Sequence, residues 1–546
     1  MSLFDRILSA RGIDENSKAV FLHPDYSYLH DPFLLKDMEK AVNRLVIARK
    51  KQEHITIYGD YDIDGLTATT LLVSAFKAFG FKYVDVYIPN RFTEGYGLTV
   101  EAINKISKNG AKLIVTVDCG SNSKKEVEHA KKLNIDVIIS DHHSISGVLP
   151  SAVAVINPNR DDDRYPFSDL AGVGVAFKLV QALQSYIDGI PLGHEKWFLD
   201  LVSLGTVCDV VPLVDENRIF VYFGLKVLSK TRRPGLKALM AISAVDSTNL
   251  DTRAIGFRLG PRMNAAGRLE TAQYALDMLI VDDSLVALEK AEYLNELNKS
   301  RRFEQDKIIK QAIIKAEKYK DDPVLVVSDS DWSHGIVGIV AARLLETYKK
   351  PVFILQEIGD ESKGSARSFG EFSAIDAVNE CKDIIIKGGG HKFAAGILLK
   401  TKNIDEFRKM VNKYYKKLGL VDQSKMLLPK ADAIAELGEL NEELVGLISK
   451  LEPFGIGNPQ PIIETRDLEV VEIKKMGADG QHIKLNLRDK GGNFMQFISF
   501  NSDKSFYVNL GEIISIWYTV DINEWQGRRS IEGQILHLEC LKIQLH

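Results

Sequence analysis

The sequence predicts an α/β protein of several domains: a parallel-sheet domain, a helical connector, a second and smaller α/β domain, and a C-terminal all-β barrel. Three observations carry this. From Ile55 onward, short apolar runs at 55–58, 83–88, 112–117, 135–139 and 152–156 alternate with helix-patterned segments, as a parallel sheet covered on both faces requires. Asp321-Asp322-Pro323 ends a Gly- and Pro-free helical stretch, Leu285 to Tyr319, and a new series begins: PVLVVSD as strand, SHGIVGIVAARLLETY as helix, PVFIL as strand. Beyond the Pro/Gly joint EPFGIGNPQP, five β-type runs fill the remaining chain and suit a small Greek-key barrel. The resulting boundaries are 1–225 for the first domain with an N-terminal helical extension, 226–320 for the connector, 321–405 for the second domain, 406–455 for a helical linker and 456–546 for the barrel.

The totals exclude several classes. The 546 residues carry a net charge of −4, so any nucleic-acid binding must use a local basic groove rather than bulk attraction. The four cysteines, Cys119, Cys208, Cys381 and Cys540, form no CxxC pair, which points away from zinc knuckles and disulfide frameworks and toward a reducing, cytoplasmic compartment. The first residues, MSLFDRILSARGIDE, lack the apolar core of a secretory leader, and no run approaches the ~20 apolar residues of a membrane span.

Residues before Ile55 read as helices broken at His23-Pro24 and Asp31-Pro32. The first strand then runs directly into YGDYDIDGL, which spaces Asp60, Asp62 and Asp64 two apart before Gly65 and a helix. Three acids at the carboxyl end of a strand repel one another unless a divalent cation lies between them. The spacing also matches the opening of an EF-hand loop, but the twelfth position from Asp60 is Leu71 rather than Glu, and the preceding segment is strand-like rather than helical. LIVTVDCG ends in Asp118, DVIISDHH ends in Asp141-His142-His143, and Asp209 closes an apolar helical stretch in GTVCDVVPL. Two of these clusters therefore share the sheet edge of Asp60 to Asp64.

Further along, GPRMNAAGRLE places Arg262, Asn264 and Arg268 beside Ala-Ala-Gly, where a backbone can approach a ligand closely. The run Lys299, Arg301, Arg302, Lys307 and Lys310 falls on a long helix and reads by itself as a solvated face. GSARSFG and GGGHKFAAG read as Gly-rich turns in which Ser365, Arg367, Gly389, Gly390 and His391 can converge on a phosphate. Gly172-x-Gly174 lacks the third glycine of a dinucleotide fingerprint, and no Walker A sequence occurs. From Pro461 onward ten Lys/Arg face twelve Asp/Glu, so strand binding by the barrel would rest on local Lys474, Lys475, Lys484, Arg488, Arg528 and Arg529 with aromatics such as Trp525.

Taken in order, YGDYDIDG, VDCG, SDHH and CDVVPL resemble the four metal-site motifs of the DHH phosphoesterase superfamily. GPRMNAAGRL, SHGIVGIVAAR, GSARS, GGGHKFAAG and EPFGIGNPQP resemble the later signatures of its RecJ family of single-strand DNA exonucleases. Ile63 and Cys208 stand where that family's pattern leads one to expect alanine, and the chain stops soon after the barrel, without the additional C-terminal domain of longer relatives. The resemblance implies a DHH catalytic domain, a DHH-associated domain and an OB-fold.

Carboxylates and imidazole without thiolate suit Mn²⁺ or Mg²⁺. The resemblance implies two ions: one on Asp60 and Asp62, the other on Asp64, His142 and Asp209, with Asp118 bridging. It also implies that His143 faces the scissile phosphate, that Arg367, Ser365 and His391 grip it from the second domain, and that Arg91, Tyr96 and Arg268 hold the 5′-phosphate and first base. The implied activity is 5′→3′ hydrolysis of single-stranded DNA to 5′-mononucleotides in DNA repair and recombination. The alternatives are an enzyme acting on short oligonucleotides or RNA, and a non-catalytic strand-binding scaffold. Implied partners are single-stranded DNA, a single-strand-binding protein and a helicase; no membrane contact is expected, and the sequence leaves the oligomeric state open, with a monomer favoured.

Overall fold

The structure is a computed structural model that describes residues 1–477, 480–500, 506, 508–525 and 527–540. Its first sheet holds β1 (Ile55–Gly59), β2 (Val84–Tyr87), β3 (Leu113–Val117), β4 (Asp136–Ser140) and β5 (Ala154–Ile156), all parallel, in the order β2-β1-β3-β4-β5. β1 and β3 are buried along their whole length, as apolar runs in a sheet covered on both faces should be. The strand order reverses between β1 and β3, which opens a crevice at their carboxyl ends. The helix Ile63–Ala78 leaves that edge and is itself sandwiched by the helices Gly172–Gln184 and Leu199–Cys208.

The connector is organised by one helix of 33 residues, Ser284–Ala316, about 50 Å long at the usual rise. Ala287, Ala291, Leu294 and Leu297 pack into the first domain's core, while Ile308, Ala312 and Ala316 pack against the second domain. A single rod thus holds both walls of the cleft.

The second sheet contains β6 (Leu325–Asp329), β7 (Val352–Ile358), β8 (Glu361–Arg367), β9 (Ile385–Gly390) and β10 (Ala394–Lys400), ordered β6-β7-β8-β10-β9. Here the expectation of Gly-rich turns is corrected: Gly364 to Arg367 lie in β8 and the three glycines 388–390 lie in β9, both bonded to β10. Packing explains Gly364 and Gly388, because a Cβ at Gly364 would lie 2.4 Å from the Ile354 carbonyl and one at Gly388 would lie 2.3 Å from Val378.

The barrel comprises β11 (Ala433–Ile434), β12 (Ile463–Met476), β13 (His482–Arg488), β14 (Phe494–Ser499), β15 (Ile513–Trp525) and β16 (Arg528–Cys540), closed by pairing of β12 with β15. Its core takes in Leu437, Leu444, Val445 and Ile448 as well as Leu3, Phe4, Ile7 and Leu8 of the first helix. The expected 406–455 linker is therefore divided. The helix Ile404–Lys417 buries Phe407 and Val411 in the second domain, and residues from Ala433 onward belong to the barrel. Among the described residues, no helix is long and apolar enough to cross a membrane.

Candidate metal centre and active site

Strand register assembles the site. Gly59 pairs with Val117 and Val117 with Ser140, so the next residues, Asp60, Asp118 and Asp141, leave the first sheet side by side. Asp62 caps the helix Ile63–Ala78 by accepting from the Gly65 N–H at 3.1 Å, and a Cβ on Gly65 would lie 2.6 Å from the Asp60 carbonyl oxygen. Asp64, in the first turn of that helix, accepts the Gly172 and Val173 N–H groups at 2.6 and 2.9 Å, at the positive end of the helix Gly172–Gln184. Asp118 takes a left-handed backbone conformation, φ +59°, which Asp tolerates better than most residues. Asp209 caps the carboxyl end of the helix Leu199–Cys208.

These elements bring Asp60, Asp62, Asp64, Asp118, His142 and Asp209 together. His142 Nε2 lies 3.1 Å from Asp118, 3.5 Å from Asp209 and 3.7 Å from Asp64. Asp60, Asp62 and Asp118 present donor atoms within 4.8 Å of one another, and so do Asp64, His142 and Asp209. One buried atom on each of Asp60, Asp118, His142 and Asp209 has no hydrogen-bond partner, an arrangement whose desolvation cost a bound cation would offset. The residues present therefore fit divalent metal binding.

The electrostatics agree. Burial and the Asp62 charge raise Asp64 to about 7; burial with Asp64 and Asp62 raises Asp209 to about 9. Burial and neighbouring carboxylates also hold Asp60 and Asp118 well above the ordinary range. His142 is pushed down to about 4 by burial and by His143, which leaves it neutral, the form that coordinates metal. His143 behaves oppositely: burial opposes its charge, but the Asp141 hydrogen bond and carboxylate prevail and raise it to about 9. Its Nδ1 lies 2.8 Å from Asp141 Oδ1 and 3.0 Å from the Tyr96 hydroxyl, leaving the other ring nitrogen for an external oxygen.

Across the cleft, Arg268 donates to the Gly335 carbonyl at 3.2 Å and is pushed down to about 10 by burial and by the charges of Arg91, Arg301 and Arg367. Arg91 lies over the Tyr61 ring at 4.2 Å. Ser365 and Arg367 share a face of β8 beside Gly338, whose Cβ would lie 3.4 Å from each side chain. Gly389, Gly390 and His391 lie on the adjoining hairpin, exposed, with the His391 N–H donating to Ala394 at 2.7 Å. Asn264, Arg268 and Arg301 line a cavity of about 640 Å³ that runs from Cys208 to the barrel joint at Pro453. Arg262 makes its hydrogen bonds instead to Asn295 and the Arg258 carbonyl.

Sequence reasoning assigned no role to Asp141, although it adjoins both histidines, and it read Arg301 as part of a solvated helix face. Only the fold turns Arg301 inward. On the barrel, Lys484 pairs with Glu532 at 2.9 Å, Arg488 with Glu469 at 2.5 Å and Arg529 with Glu442 at 3.9 Å, so three of the expected strand-binding cations have a carboxylate partner. The Trp525 and Arg528 side chains lie outside the described residues.

Residues 54–206 match the DHH family N-terminal domain, 321–417 the DHHA1 domain and 431–537 the RecJ OB domain. The chain is 36% identical over 528 residues to the single-stranded-DNA-specific exonuclease RecJ of Bacillus subtilis, covering 96% of this chain and 66% of that protein. To the Escherichia coli RecJ it is 35% identical, covering 91% of this chain and 89% of the other. The crystal structure of Thermus thermophilus RecJ with Mn²⁺ superposes with a TM-score of 0.83 at 26% identity, over 98% of this chain and 75% of that one. Three matched domains in the same order, on a fold shared along nearly the whole chain, place it in the RecJ family of the DHH superfamily.

Proposed function

We propose that the chain hydrolyses single-stranded DNA from the 5′ end, releasing 5′-mononucleotides, with two divalent cations, Mn²⁺ or Mg²⁺. The observation that carries this is the pair of donor triads, Asp60–Asp62–Asp118 and Asp64–His142–Asp209, joined by the 3.1 Å approach of His142 to Asp118. The first triad would hold one cation and the second the other, with Asp118 shared. Bound there, the cations supply Lewis acidity and a water of lowered pKa. His143, kept charged by Asp141, donates a hydrogen bond to a non-bridging phosphate oxygen as charge builds on it. Arg367 and Ser365 approach the same phosphate from β8, with Gly389, Gly390 and His391 on the neighbouring hairpin.

Arg91 and Arg268 hold the 5′-terminal phosphate, and the half-exposed Tyr96 ring offers the first base a stacking face without reading sequence. Water attacks phosphorus, the bond to the 3′-oxygen breaks, and the phosphate stays on the 5′ end of the shortened strand. Through the family resemblance, a single-strand-binding protein and a helicase are the partners to test, in the cytoplasm.

The deciding experiment digests 5′-phosphorylated single strands with Mn²⁺, alongside strands blocked at either end and the Asp118→Ala variant. Mononucleotides should vanish with the 5′ block and with the variant. Release stopped only by a 3′ block would overturn the polarity, and full activity of Asp118→Ala would overturn the shared-metal assignment.

A further inference from the structure

The second sheet turns one face toward the cleft. Along β8, Lys363, Ser365 and Arg367 alternate onto the side where their neighbours Ile354 and Val352 meet the helix His334–Tyr348. Leu398 of β10 pairs with Lys363 on one side and Lys387 on the other, so the two lysines stand in a single row across the sheet. The next row is Ser365, Gly396 and Gly389; a Cβ on Gly389 would meet nothing within 4 Å, which leaves an open floor of bare backbone.

His334 closes this corner. Its N–H donates to Gln356 Oε1 at 3.0 Å, its Nε2 lies 3.4 Å from Lys363 Nζ, and Phe92 from the first domain packs edge-on against it at 4.9 Å. Arg91, next to Phe92, keeps its Nε buried without a hydrogen-bond partner. Its charge acts on Asp60 of the metal centre and also on Lys363 and His334, so it stands between the two groups. Among the described residues, no carboxylate forms an ion pair with Arg91, Lys363 or Lys387. Cations gathered along one side of the cleft, the half-buried Lys363 beside the exposed Lys387, without a paired carboxylate are arranged for an external polyanion.

We propose that Lys363 and Lys387, with Lys363 positioned by His334, form a second anion subsite beyond Arg91 that takes the distal phosphates of a 5′-polyphosphorylated strand. The proposal rests on the reading that Arg91 and Arg268 hold the 5′-terminal phosphate. Cleavage of the first phosphodiester then follows the same balance: water adds to phosphorus, the 3′-oxygen leaves and takes a proton, and the released nucleotide keeps its 5′-triphosphate.

Two readouts test this on the full chain. Calorimetry of inorganic tripolyphosphate binding to metal-free protein compares wild type, Lys363→Ala/Lys387→Ala and Lys363→Arg/Lys387→Arg. Kinetics then compare 5′-monophosphorylated and 5′-triphosphorylated single strands. The alanine pair should lose at least tenfold in tripolyphosphate affinity and the arginine pair should recover it. KM for the triphosphorylated strand should rise at least tenfold in the alanine pair, with the monophosphorylated strand changed less than twofold. Unchanged tripolyphosphate binding overturns the subsite. Equal losses on both strands overturn the polyphosphate assignment, because the lysines then hold a phosphodiester of the strand itself. If neither strand is cut while tripolyphosphate binding is lost only in the alanine pair, the exonuclease reading falls and the anion subsite stands.

Discussion

Loading the metal centre must expel protons, so its affinity for Mn²⁺ should climb steeply with pH. Three buried acids and the half-buried Asp209 face one another there, with Asp209 raised to about 9, Asp64 to about 7, and Asp60 and Asp118 well above the ordinary range. At pH 7 Asp209 and a share of Asp64 hold a proton in the metal-free protein, whereas His142, near 4, holds none. Each proton displaced alters the binding constant tenfold per pH unit, about 1.4 kcal/mol. Release of one proton makes the apparent constant roughly 10²-fold lower at pH 6 than at pH 8, and each further proton displaced across that range adds the same factor.

Stability has a linked sign. These acids have folded pKa values above the unfolded value of 3.8, so the destabilisation is absent below that pH and grows as pH rises through about 7 and about 9. Metal-free protein should therefore lose thermal stability between pH 5 and 8. Mn²⁺ at a hundredfold excess over its dissociation constant should restore about 2.7 kcal/mol per site. Titration with MnCl₂ in two buffers of different ionisation enthalpy counts the protons directly. A log K that changes by less than one unit per pH unit, or no proton release, would refute the reasoning.

Three substitutions probe other links. Gly172→Ala would set a Cβ 2.8 Å from Asp118 and 2.9 Å from Asp64; it should cost about 1–3 kcal/mol in denaturant unfolding and weaken Mn²⁺ binding at least tenfold. Tyr96→Phe keeps the ring but removes the 3.0 Å contact to His143, so kcat should fall about tenfold with KM little changed, as a lost hydrogen bond to a charged group predicts. Lys178 and Glu216 form a fully buried ion pair; Glu216 also accepts from the His30 N–H at 2.9 Å, and Lys178 donates to the His30 carbonyl at 2.8 Å. Lys178→Met should cost about 3–5 kcal/mol by stranding the carboxylate, and Lys178→Met/Glu216→Leu distinctly less; equal costs would deny the coupling.

What the sequence by itself determined is local. Apolar runs ending in Asp118 and in Asp141-His142-His143 announced their own positions, because a strand buried on both faces must be apolar and the first residue past its carboxyl end is free to be polar. The same logic located Asp60, Asp62 and Asp64, and Pro and Gly marked the joints. Tertiary structure alone decided what depends on pairing between distant segments. The glycines around Ser365 and at 388–390 read as turns, yet they lie in strands, where neighbours crowd Gly364, Gly388 and Gly390. Arg301 looked solvated until the helix Ser284–Ala316 was rotated against the first domain and turned it toward the cavity. The first helix reads as an appendage of the first domain, but it buries Leu3, Phe4, Ile7 and Leu8 in a barrel more than 400 residues away. Lys363 and Lys387 share a row only because both pair with Leu398. Periodicity within a segment states which residues seek burial, whereas the partner that buries them is set by register and rotation between segments, which no local pattern encodes.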